Sequence, residues 1–201
     1  MDTTRNQKAM GTALRVTIAL LALLSFSGTA PRPTGTVIPG AEGIVLHTPG
    51  TVQEELLTWS IKRYRAAGLE LPPVEVSFHA EQAGCRGNVG YQVDGKVDLC
   101  VRLAIEAGPE RIVLHELAHA WCDEHLTDAA RERFMASRRL TDWNGSTTDW
   151  KARGYEQAAE IIAWGLGDGS MLPLIDGPTD LASLTVDLRL LTGIAPLTET
   201  P

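Results

Sequence analysis

The fold turns on "RIVLHELAHAWCDEH", residues 111–125. The stretch carries three of the chain's five histidines among Leu, Val, Ala and Trp. So apolar a run reads as a buried helix, with Pro109 suited to its first turn and Glu110 to the positive end of its dipole. Burial obliges His115, Glu116 and His119 to find partners. Residues four apart on a helix lie about 40° apart around the axis, so His115 and His119 project from one face, one turn apart. Two imidazoles so placed suit one tetrahedral Zn²⁺. Glu116 stands about 100° from His115, too far round to ligate comfortably. It can reach a water on the metal and take its proton. The arrangement is His-Glu-x-x-His. The plainer alternative is a pair of core histidines hydrogen-bonded to backbone carbonyls.

A catalytic zinc needs a third protein ligand. One candidate is Glu156 in "GYEQAAEIIAWGL", residues 154–166, a helix apolar almost all round that still holds Glu156 and Glu160. Ala152, Glu156, Ala159, Glu160 and Ala163 share a face, and the small residues allow another helix to come close. A metal for Glu156 and a ligand-histidine N–H for Glu160 would satisfy both carboxylates. The other candidate is His125. The spacing of His115, His119 and His125 matches His-Glu-x-x-His-x-x-Gly-x-x-His, in which the glycine turns the chain back. Cys122 stands at that glycine position, and a non-glycine residue rarely takes φ > 0. On a straight helix His125 faces away from the pair, at a helix end that favours a cation.

"HELAHAWCD" resembles the "HELTHAVTD" of the thermolysin-like gluzincins, and "EQAAE" resembles their second motif, Glu-x-x-x-Asp. The run from about residue 111 to 166 also resembles small exported bacterial metallopeptidase-like proteins. The resemblance implies His115, His119 and Glu156 as zinc ligands, Glu116 as general base, and Glu160 as a carboxylate behind a ligand histidine. Glu160 stands where the motif has Asp and is one methylene longer. Asp123 matches the trailing Asp, which implies a role orienting His119; the alternative is that it simply ends the helix. The implied fold is a minimal zincin core, and the implied activity is peptide hydrolysis by a zinc-activated water. Two other readings stand beside it: a zinc-holding interaction or regulatory module without hydrolysis, and a helix with no metal.

The rest of the chain sets limits. Its 201 residues, 44% apolar, suffice for one domain with a core. A net charge of −7 argues against nonspecific nucleic-acid binding. Residues 1–30 carry Arg5, Lys8 and Arg15, an uncharged apolar run at 16–26, and small residues at Gly28 and Ala30. They read as an export signal or an uncleaved N-terminal anchor, the sole expected membrane contact. A buried helix is the alternative. Residues 31–50, rich in Pro, Gly and Thr, read as a flexible linker, 51–195 as a single domain and 196–201 as a tail.

Within the domain the spacing predicts a helix over 51–68, a strand at "PPVEVSFH" and a hairpin turning at Asp94-Gly95. Three further helices follow, one of them capped by Thr127 or Asp128. This is α+β, with a small, mostly antiparallel sheet. The hairpin would bring Cys85 and Cys100 together as a disulfide in an oxidising compartment. Cys122 is left as a small buried apolar residue. "GNVGYQV" or "KVDLCV" is expected to rim a cleft that takes an extended peptide or protein substrate by strand addition. Tyr155, Arg153 and His79 are candidate oxyanion donors. The protein is expected to act as an exported monomer.

Overall fold

The structure, a computed structural model, describes residues 35–47, 50–100, 108–146, 148–167 and 172–197. The export or anchor segment 1–30 and tail residues 198–201 lie outside them. The described residues form one compact unit.

The described residues form five strands and five helices. These are β1 Thr36–Val37, β2 Ile44–His47, α1 Thr51–Ala66, β3 Val74–His79, β4 Gly90–Val93, β5 Lys96–Cys100, α2 Pro109–His125, α3 Asp128–Arg138, α4 Gly154–Leu166 and α5 Leu181–Thr192. The class is α+β. Among the described residues, no helix is long and apolar enough to cross a membrane.

The strands form one sheet in the order β1-β2-β3-β5-β4. The β1–β2 and β4–β5 pairs are antiparallel, whereas β2–β3 and β3–β5 are parallel. The sheet is therefore mixed rather than mostly antiparallel. The reason lies in the stretch read as a flexible linker, which supplies β1 and β2 and buries Ile38, Ala41, Ile44 and Leu46. Once β2 exists, α1 becomes the crossover of a β2-α1-β3 unit, and such a crossover makes its two strands parallel. The domain accordingly begins before residue 51. At its other end, Leu197 of the expected tail packs on the core, donating its amide to Gly165 O at 2.8 Å.

One face of the sheet is apolar. Ile44 and Leu46, Val74 and Val76, and Val97 and Leu99 alternate inward, with Leu46, Val76 and Val97 in register across three strands. The residues between them, such as Glu75 and Lys96, face outward, the period-2 pattern of a sheet covered on one side. The hairpin turns at Asp94-Gly95, with φ of 48° and 73°, as a two-residue turn of this composition requires. Cys85 and Cys100 are joined by the expected disulfide.

Helix α2 is the centre of the domain. Every residue from 112 to 122 is buried. It packs most extensively on α4, and also against α1, β4 and β5. Thr127, of the two candidates, caps α3, its hydroxyl accepting from Ala130 N.

Candidate metal centre

Helix α2 presents His115 and His119 toward α4, and α4 presents Glu156 and Glu160 back. The two Nε2 atoms lie 3.0 Å apart. Glu156 Oε2 is 3.2 Å from His115 Nε2 and 3.4 Å from His119 Nε2. Among the described residues, these three form the one group of His, Cys, Asp and Glu side chains able to share an ion. The spacing tests the fit. Donors about 2.0–2.1 Å from a tetrahedral ion stand about 3.3 Å apart along each edge. The observed separations bracket that edge, and two imidazole nitrogens with a carboxylate oxygen are a donor set that suits zinc.

The surrounding charges are arranged in layers. His115 Nδ1 lies 3.2 Å from Glu160 Oε1, at ion-pair distance though outside strict hydrogen-bond geometry. Glu160 also accepts from Arg111 Nη1 and, at 3.1 Å, from the backbone N–H of Leu174. Burial would push Glu160 up, but His115, Arg111 and the Leu174 amide outweigh it and hold the carboxyl down at about 2. Burial would lower His115, yet Glu156 and Glu160 raise it to about 10. Glu156 is pulled well below the usual carboxylate range, its two histidine partners overcoming the effect of burial.

Glu116 points from the same helix toward the sheet. It is buried, and burial raises its pKa above the ordinary carboxyl value despite the two histidines. It lies against Gly90 of β4, where a Cβ would stand 2.6 Å from Glu116 Cγ and Cδ. Gly90 is thus the residue that makes room for the Glu116 side chain. Of the two strands that could rim a cleft, β4, within "GNVGYQV", lies at an edge of the sheet and β5 is interior.

Other sequence candidates fall elsewhere. Helix α2 runs straight through buried Cys122 with no turn, so His125 emerges exposed at its end, its ring 5.4 Å from that of Trp121. It does not join the cluster. Asp123 has no hydrogen bond to His119 among the described residues; it accepts from the Tyr155 hydroxyl at 3.0 Å. Of the oxyanion candidates, Arg153 donates to Thr148 O and His79 pairs with Asp98 at 2.6 Å. Tyr155 stacks on His119, with ring centroids 4.1 Å apart, and its hydroxyl is held by Asp123 and Gln92. Burial first, and then Asp123, raise the Tyr155 pKa and keep the phenol protonated.

Sequence reasoning passed over Arg111, Gly90 and Gln92. Arg111 had a signal, since it stands one turn before His115 on the same helical face. Gly90 and Gln92 had only the alternation that puts both on one face of β4. No protein-family model, curated protein or solved structure matches the chain.

Proposed function

We propose that the protein is a zinc-dependent peptidase in which Glu116 is the general base. The observation that carries this reading is the convergence of His115 Nε2, His119 Nε2 and Glu156 Oε2 at tetrahedral-edge spacing, with both histidines on the helix that also presents Glu116. His115, His119 and Glu156 hold the ion, and Glu160 and Arg111 fix the far side of His115. When bound, zinc supplies Lewis acidity toward a carbonyl oxygen and acidifies water. Glu116 takes a proton from the attacking water and delivers it to the departing amine, a task suited to a carboxylate whose pKa burial has raised. Among the described residues no strand pairs with the outer edge of β4, and an extended peptide added there would lie beside Gly90 and hence beside the base.

The test is zinc content and peptide cleavage in the wild type, Glu116→Gln and Glu156→Ala. One zinc per chain is expected in the wild type. Glu116→Gln keeps the zinc and loses activity by about 10²–10⁴-fold. Glu156→Ala loses both. Full activity in Glu116→Gln overturns the mechanism. A zinc-loaded wild type that cleaves no peptide leaves instead the non-hydrolytic binding module.

A further inference from the structure

We propose that Tyr155 is the positioning residue for His119. Its ring, tethered to Gln92 and Asp123, sets the imidazole orientation that a hydrogen bond on Nδ1 ordinarily sets in a metal site. The proposal rests on the zinc reading above.

A metal-bound histidine almost always engages its second nitrogen with a carboxylate, a carbonyl or water, and that contact fixes the ring. The two histidines here differ in this respect. His115 Nδ1 has a carboxylate oxygen of Glu160 at 3.2 Å, at ion-pair distance though outside strict hydrogen-bond geometry. His119 Nδ1 is buried with no hydrogen-bond partner among the described residues. Such a ring keeps freedom about its terminal torsion, which is broad for an sp³–sp² bond. What limits it is a flat surface. The Tyr155 ring lies 4.1 Å from the His119 ring at an interplanar angle of 26°, a stacked arrangement.

Tyr155 is itself held at both ends. Its backbone N–H donates to Trp143 O at 2.8 Å, and the Trp143 ring meets it edge-on at 5.7 Å. Its hydroxyl lies 3.0 Å from Asp123 Oδ1, one turn beyond His119 on α2, and 3.0 Å from Gln92 Oε1 on β4. A phenol has one hydrogen to donate, so the two acceptors share it. Three elements of the site therefore meet on this side chain. Tyr155 also immediately precedes Glu156 in the chain, so the backbone that places the third ligand places the plate behind the second.

A tyrosine that only fills space affects the melting temperature of the metal-free protein; one that orients a ligand affects the metal. The experiment measures zinc affinity by competition with a chromophoric chelator, and the visible spectrum after Co²⁺ substitution. It uses the full chain as wild type, Tyr155→Phe, Tyr155→Leu and Asp123→Asn. Tyr155→Leu is expected to weaken zinc binding about 10–100-fold and to shift the Co²⁺ bands. Tyr155→Phe keeps the plate, loses the tether and weakens binding about two- to tenfold, as does Asp123→Asn. Wild-type affinity and an unchanged spectrum in a folded Tyr155→Leu overturn the proposal. Should that variant not fold, unchanged affinity in both Tyr155→Phe and Asp123→Asn overturns it instead. A wild type that binds no zinc removes the metal reading and this proposal together, whereas unchanged variants of a zinc-binding wild type remove this proposal alone.

Discussion

Glu116 and Gly90 face each other across the gap between α2 and the sheet edge, and the contact is tight enough that the proposed mechanism requires a glycine there. Gly90 does not have a positive φ, so its backbone tolerates any side chain. The constraint is space, because a methyl group there overlaps Glu116 at Cγ as well as at the carboxyl. A clash at Cγ cannot be relieved by rotating the carboxylate alone, so the whole side chain has to move. Displacing a general base by about 1 Å can cost on the order of 100-fold in rate. Gly90→Ala is thus expected to lower kcat by about 10–100-fold with zinc content unchanged. Parallel kinetics and metal analysis check this, and an unaltered kcat shows that Glu116 needs no clearance from β4.

Among the elements, α3 and α5 are joined by a buried ion pair. Arg138 Nη1 reaches Asp187 Oδ2 at 2.7 Å, with side chains 2% and 5% exposed. Ser137 Oγ donates to the same carboxylate, and Arg138 also donates to Gln157 Oε1 of α4 and to Asp176 O. Removing Asp187 alone strands a buried guanidinium, a change that costs about 3–5 kcal/mol. Replacing the pair together with Met and Leu costs less, because no charge is left without a partner. Urea unfolding of Asp187→Ala beside the double variant measures the difference, and a fully stable Asp187→Ala refutes it. None of this partnership could be read from the chain, since Arg138 and Asp187 belong to separate amphipathic helices. The same reason decides what was legible elsewhere. Local patterns sufficed for α2, for the Asp94-Gly95 hairpin and for the pairing of His115 with His119. The acids of α4 stood out against an apolar helix. β1 and β2 did not, because the four-residue β2 becomes a strand through parallel pairing with β3, beyond a 16-residue helix, and the two-residue β1 through antiparallel pairing with β2. Tyr155, Gln92 and Asp123 likewise meet only once three elements have packed.

On the scale of the whole molecule, the His115–Glu156–Glu160 cluster couples stability to pH. Without metal, His115 lies between two carboxylates that raise its pKa from 6.5 to about 10, against the downward pull of burial. The folded chain therefore holds a proton that the unfolded chain releases near 6.5. The resulting stability is complete below that pH and is lost as pH rises toward about 10. Glu160 behaves oppositely. Its pKa is lowered from 4.5 to about 2, so its contribution is complete above 4.5 and is lost as pH falls toward about 2. Zinc needs the His115 nitrogen free, so binding expels the proton and strengthens as pH rises. An ion that binds only the folded form stabilises it by an amount that grows with the logarithm of that affinity, and so raises its melting temperature. Melting curves recorded with zinc and with chelator should therefore separate further as pH climbs from about 6.5 to about 8.5, the chelated protein losing stability while the loaded protein keeps it. Taking the difference between the two series cancels groups remote from the site that titrate equally in both. If the two series instead run parallel over that range, His115 is not the proton that zinc displaces, and the charge arrangement around α2 and α4 has another purpose.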